Sequence, residues 1–215
     1  MGLSITCLDT LNYDKTVRAL QTTLQTLKGK VEKVYWFSDI RLPVEIDCPV
    51  VWVKIDPITK NNWPYDLNKN TLKLIPEIVT ENHNLLIQWD GFAVNPEAWT
   101  DEFLEYDYIG AVWSWNHDIY GTRNQVGNGG FCLRSKKLYE ALLDFKIMEK
   151  PLASEDDMIC RIYGDELKEK YGIKFAPNDL ADRFSIEHNT SSPWFGKSLG
   201  FHGIHGVSER YGFKL

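Results

Sequence analysis

The opening of the chain constrains its fold more than any other feature. An apolar run over residues 3–8 is followed by Val17, Leu20, Leu24 and Leu27 at helical spacing, then by a second apolar run over residues 31–37. Apolar residues three and four apart line one face of a helix, whereas short continuous runs suit strands buried on both faces. Strand, helix, strand in that order favours a parallel sheet, because the helix carries the chain back across the sheet before the next strand begins. Asp14 is placed to cap the helix and Gly29 to end it.

The alternation continues. Residues 49–55 are expected as a third strand, 68–78 as a helix, and 84–88 as a short, fully apolar strand at the sheet centre. Asn95-Pro96 should start a helix through Leu104. Residues 108–112 and 131–134 read as strands, 135–145 as a helix, and Ser154 as the cap of a helix over 155–171. Residues 113–127 read as a long loop and 175–215 as an irregular tail. No repeat or linker interrupts the pattern, so the expectation is one domain over residues 1–215.

Composition narrows the function. The net charge is −6 and no block of Lys or Arg occurs, so no nucleic-acid partner is expected. No run of eighteen apolar residues and no signal-peptide pattern is found, which predicts no membrane span and a cytoplasmic location. Cys7, Cys48, Cys132 and Cys160 form no CxxC pair and read as free thiols. Aromatic residues make up 13%, which suits both a core and platforms for bases and sugar rings. The absence of a Walker-type loop, and of GxGxxG after the first strand, argues against kinases, NTPases and dehydrogenases.

Four short constellations could carry chemistry. Gln88-Trp89-Asp90-Gly91 follows the central strand, and open α/β sheets bind ligands at the carboxyl ends of their strands. A carboxylate there can hold a divalent cation, although Asp-Gly equally marks a turn. Gly127-Asn128-Gly129-Gly130 permits close backbone approach to a ligand, or is simply a tight turn. In Ser154-Glu155-Asp156-Asp157, three carboxylates favour a helix N-terminus electrostatically, and one of them could act as a general base. Lastly, His202 and His205 sit between glycines, outside any apolar periodicity, where imidazole can ligate a metal.

Taken in order, these segments resemble a family of GT-A-like glycosyltransferases. The resemblance is carried by Leu86-Ile-Gln-Trp-Asp-Gly-Phe92, Asp107-Tyr-Ile-Gly-Ala111, Gly127-Asn-Gly-Gly-Phe131, Ser154-Glu-Asp-Asp157 and Phe201-His-Gly203, with Ile5–Tyr13 and Val34–Asp39 at the start. It implies an α/β GT-A fold, a Rossmann-like α/β/α sandwich with a mainly parallel central sheet. It also implies transfer of a sugar from a nucleotide-sugar donor to a glycan or other hydroxyl acceptor, by an inverting mechanism, with a retaining outcome as the alternative within the class. In that resemblance Asp90 matches the last carboxylate of the metal-binding Asp-x-Asp motif. His202 completes a site for Mn²⁺ or Mg²⁺, with His205 in reserve. Asp9, Asp39, Asp90, Gly129 and Gly130 fall at donor-binding positions. Asp156 matches the catalytic base, with Glu155 beside it. Gln88 departs from the pattern by standing where the first acid of Asp-x-Asp would be, and a neutral ligand weakens the case for a metal. A nucleotide-sugar phosphohydrolase, or an inactive carbohydrate- or nucleotide-binding module, is the alternative.

Overall fold

The computed structural model describes residues 2–59, 61, 63–113, 125–149, 153–203 and 206–215. Most of the expected loop over 113–127, and His205, lie outside the described residues.

The first strand, β1 (Leu3–Leu8), leads into α1 (Tyr13–Thr26) and then β2 (Val31–Ser38) and β3 (Val50–Lys54). β1 pairs in parallel with β2, and β2 with β3. The helix is not capped by Asp14, which lies in its first turn; Asn12 holds the N-cap position and makes no side-chain cap. Asp9 ties down this turn instead. It accepts the N–H groups of Leu11 (2.6 Å) and Asn12 (2.7 Å) and the hydroxyl of Thr16.

The next helix begins earlier than expected. α2 (Trp63–Lys69) runs through a π-helical turn over Asn70–Leu74 into α3 (Ile75–Ile78). Pro76 lies in the first turn of α3 and has no N–H to return to the preceding turn, a common cause of such wide turns. Side chains replace part of the interrupted bonding: Thr71 Oγ1 donates to the carbonyl of Leu67 at 2.8 Å, and Asn70 Nδ2 to that of Asp66 at 2.8 Å.

The fourth strand, β4 (His83–Ile87), is parallel to β1. It is not fully apolar. Asn84 is buried at its centre, donates to Ser4 Oγ (2.8 Å) and Thr6 Oγ1 (2.9 Å), and accepts from Tyr139 Oη (2.8 Å). A buried amide is tolerated when both of its ends are satisfied.

After β4 a tight turn enters β5 (Gly91–Ala93). The helix expected over 96–104 is two 3₁₀ turns, Pro96–Ala98 and Asp101–Glu105, divided at Thr100, whose hydroxyl accepts from the Glu102 N–H. The strand expected over 108–112 is also divided. β6 (Tyr108–Ile109) joins the main sheet, whereas β7 (Ala111–Val112) pairs with β8 (Val126–Gly127). β9 (Phe131–Ser135) closes the main sheet, whose order is β3-β2-β1-β4-β9-β6. β9 runs antiparallel to both of its neighbours, and the other five strands share one direction. α4 (Lys136–Phe145) follows, capped by Ser135 Oγ, which accepts the Leu138 N–H at 3.0 Å. Its Tyr139, bonded to Asn84, seats this helix on the Ser4 and Thr6 face of the sheet.

The helix expected over 155–171 is interrupted. α5 (Glu155–Asp157) opens into a π-helical turn over Met158–Ile162, the chain bends at Tyr163, and α6 (Gly164–Tyr171) resumes. Ser154 occupies the N-cap position, but its hydroxyl donates to Asp157 Oδ2 at 3.2 Å instead of capping a backbone N–H. The tail is more regular than its sequence suggests. It forms α7 (Asn178–Phe184), β10 (Ser185–Ile186), β11 (Gly200–His202) and α8 (Val207–Arg210). β11 lies between β10 and β5 in a small three-stranded sheet. Aromatic packing joins that sheet to the main one. Phe131 of β9 lies against Gly200 of β11 and stacks on Phe184 at the end of α7 (4.8 Å between centroids), and within the small sheet Phe92 of β5 meets Phe201 of β11 (5.0 Å). Much of the aromatic surplus is therefore core, and each fully buried ring contributes about 1.5–3 kcal/mol. Among the described residues no helix is long and apolar enough to cross a membrane.

Candidate functional site

The parallel arrangement collects the sequence-marked acids. Asp9 follows β1, Asp39 follows β2 and Asp90 lies just beyond β4, so all three emerge at the carboxyl edge of the sheet. Because β9 is antiparallel, its beginning reaches the same edge, with Phe131 opposite Ile87 in register. The turn Asn128-Gly129-Gly130 therefore lies beside the turn at Asp90. Two of the acids are engaged within this edge. Asp9 is buried and holds the β1–α1 turn, and Asp39 accepts from Tyr13 Oη at 2.8 Å.

Trp89 and Asp90 form the tip of a hairpin closed by Gln88 and Gly91, whose backbone groups bond reciprocally at 2.9 and 3.2 Å. β11 then brings His202 into register with Gly91, and the Gly203 N–H donates to the Asp90 carbonyl at 2.8 Å. The His202 Nε2 faces Asp90 Oδ1 at 3.7 Å. That oxygen is buried and accepts no hydrogen bond. On the other side of the ring, His202 Nδ1 lies 2.9 Å from Glu187 Oε1, and Glu187 Oε2 accepts the indole N–H of Trp113 at 3.2 Å. Burial raises the Asp90 carboxyl above the ordinary value, against the pull of His202. For Glu187 burial acts upwards, but the hydrogen bond and charge of His202 outweigh it and hold the group low. For His202 burial acts downwards and is outweighed by Glu187, Asp90 and Asp156, which hold the imidazole above its usual range.

The residues present fit a divalent cation. Two ligand atoms about 2.0–2.2 Å from one ion can be separated by at most about 4.4 Å, and the Asp90–His202 pair lies within that limit, with a carboxylate oxygen that accepts no hydrogen bond turned to Nε2 of the ring. Among the described residues no group of three His, Cys, Asp or Glu side chains converges as a metal cluster. Glu187 is committed to the far side of the ring, so Asp90 and His202 would supply two ligands.

The glycine pair has a reading that needs no ligand. A Cβ at Gly130 would strike the His202 ring, and one at Gly129 would strike the Glu155 carboxylate. The close approach these glycines permit is to side chains of the same chain.

The two neighbouring acids of α5 separate. Glu155 points inward, is 3% exposed, and pairs with the fully buried Arg134 at 3.4 Å. Burial, then Asp156, push its carboxyl up to about 7, with Arg134 opposing them. Glu155, expected beside the base, is thus enclosed and ion-paired, unlike its neighbour Asp156. Asp156 is half-buried, with Oδ2 accepting the Gly129 N–H at 3.1 Å and Oδ1 the Asp157 N–H at 2.9 Å. It is therefore joined to the glycine turn and close to the His202 side of the site.

Sequence reasoning missed Glu187, Trp113 and Arg134. Glu187 lies in the stretch read as an irregular tail, fifteen residues before its partner His202. Its one signal was an acid directly after the buried two-residue strand Ser185–Ile186.

Residues 73–202 match the family described as "Protein of unknown function (DUF5672)". The chain belongs to this family. No curated protein matches the DUF5672 chain in sequence. Solved glycosyltransferases share its fold. LgtC, described as a galactosyltransferase and solved with donor and acceptor sugar analogues, superposes with a TM-score of 0.59 at 11% identity, over 99% of this chain and 94% of its own. A glycosyltransferase involved in glycosylating the major capsid of PBCV-1 gives 0.57 at 8% identity, over 98% and 97%. The glycosyltransferase GlyE of Streptococcus pneumoniae TIGR4 gives 0.57 at 13% identity. The match covers 96% of the DUF5672 chain but 55% of GlyE, so the chain spans about half the length of that protein. The fold is thus the mixed α/β, mostly parallel GT-A architecture that the sequence resemblance implied.

Proposed function

We propose that this DUF5672 chain transfers a sugar from a nucleoside-diphosphate sugar to an acceptor hydroxyl, with inversion at the anomeric carbon. One observation carries the reading: the buried, unpartnered Asp90 oxygen facing His202 at the carboxyl edge of a glycosyltransferase-like sheet. An acidic chain binds a diphosphate only where positive charge is supplied locally, and a Mn²⁺ or Mg²⁺ ion held by Asp90 and His202 would supply it. In this reading Asp156 takes the proton of the acceptor hydroxyl. The oxygen then bonds to the anomeric carbon from the face opposite the diphosphate, whose bond to that carbon breaks and whose oxygen leaves with the electron pair. The Gly129 N–H fixes the Asp156 carboxylate, and Asp39 and Asp9 border the donor side.

A thermal-shift screen of nucleoside diphosphates and their sugars, with and without Mn²⁺, tests the reading. A ligand at a hundred times its dissociation constant stabilises by about 2.7 kcal/mol. The expected result is a stabilising nucleotide whose effect requires Mn²⁺ and is lost in Asp90→Ala. Nucleotide affinity in Mn²⁺ that survives Asp90→Ala removes Asp90 from the site. Donor cleavage independent of any acceptor would instead assign a phosphohydrolase, and binding without turnover a binding module.

A further inference from the structure

The proposed ion would meet His202 through Nε2, and an imidazole presents a lone pair there only if its proton sits on Nδ1. The structure shows what decides this. Glu187 Oε1 lies 2.9 Å from Nδ1, and an ionised carboxylate can only accept, so the proton in that contact belongs to the ring. The second Glu187 oxygen is held by the Trp113 indole N–H at 3.2 Å. Trp113 is itself fixed: its ring lies over Gly127, where any Cβ would strike it, and under the Arg161 guanidinium at 3.9 Å. One oxygen of this carboxylate thus meets the ring that faces Asp90, with His188 Nε2 at 3.6 Å from it, and the other is anchored by Trp113.

We infer that Glu187 is the positioning residue of this site, anchored by Trp113 and holding His202 in the Nδ1–H form with Nε2 directed at Asp90. The inference rests on the reading of Asp90 and His202 as cation ligands, but its first observable needs no cation. Glu187→Gln preserves the size of the side chain yet cannot serve both partners. If its oxygen accepts from His202, its NH₂ confronts the indole N–H; if it turns round, its NH₂ confronts Nδ1–H.

The test uses the whole chain with ¹⁵N-labelled histidine, at a pH where His202 is neutral. Long-range ¹H–¹⁵N spectra then report which ring nitrogen carries the proton. The parent should show His202 in the Nδ1–H form. Glu187→Ala should shift the ring to a mixture or to Nε2–H while the His83 signal stays in place; His188, whose Nε2 lies 3.6 Å from Glu187 Oε1, should respond as well. Mn²⁺ alone, titrated by electron paramagnetic resonance, should bind Glu187→Gln about 10–100-fold more weakly than the parent, as is typical when a partner of a metal-ligating histidine is removed. Trp113→Phe keeps the carboxylate and removes one anchor, so its loss should be smaller; it also provides a second variant should Glu187→Ala not fold. An unchanged tautomer in Glu187→Ala, or equal Mn²⁺ affinity in parent and Glu187→Gln, overturns the inference. A parent that binds no Mn²⁺ overturns the cation reading itself, whatever the tautomer.

Discussion

Glu155 and Asp156 are adjacent in sequence and opposite in circumstance. Successive residues of a helix point about 100° apart, so one faces the core and the other the sheet edge. Asp156→Asn can keep the hydrogen bond from Gly129 but then turns its NH₂ toward the Asp157 N–H, and it removes basicity. Under the proposed mechanism it should slow sugar transfer by about a hundredfold or more, with nucleotide affinity near the parent and a modest loss of thermal stability. Transfer at the parental rate would remove Asp156 from the chemistry. The companion prediction concerns Arg134, which is buried and meets Glu155 at 3.4 Å. Arg134→Met leaves a buried carboxyl without its cation, a change that typically costs about 3–5 kcal/mol. The sign of its pH dependence follows from linkage. Glu155 already has a raised native pKa, about 7, and loss of Arg134 raises it further. A carboxyl with a native pKa above its unfolded value contributes stability that is present at low pH and lost as pH rises. The variant's deficit should therefore be small near pH 6 and widen above pH 7, as measured by urea unfolding at both pH values. Adding Glu155→Gln should abolish the widening.

At the scale of elements, the glycine turn before β9 joins two different neighbours and offers a clean separation. Gly130→Ala should displace the His202 ring, weakening Mn²⁺ binding while the main sheet stays folded. Gly129→Ala should instead press on the Glu155 carboxylate beneath it and lower stability. Denaturant midpoints and Mn²⁺ titrations on the two variants should give opposite orders of severity; the same order in both would show that the turn yields as a unit. The regular elements near this turn were legible from the sequence, because β1, α1, β2 and β9 carry plain apolar patterns. The interruptions were not. Pro76 marks one wide turn, but the pattern of Met158-Ile159-Cys160-Arg161-Ile162 is compatible with an unbroken helix, and only packing decides. The small sheet was hidden because β10 and β11 are two and three residues long, too short to show a pattern, and β11 packs against rings from distant elements, Phe92 of β5 and Phe131 of β9.

Over the whole molecule, the sequence disclosed the edge at which the site lies, because acids ending parallel strands necessarily emerge together. It did not disclose the partners that fix the site. Glu187–His202, Trp113–Glu187 and Arg134–Glu155 are pairs separated by 15, 74 and 21 residues, and no local pattern relates them. That separation has a consequence for synthesis. The strands of the main sheet all lie before residue 136, whereas His202 reaches Asp90 only when β11 docks on β5. The chain is synthesised N-terminal side first, at about 5–20 residues per second. A nascent chain of this protein therefore contains every main-sheet strand tens of residues before β11 has been made, so any capacity to bind a divalent ion through Asp90 and His202 must wait for β11.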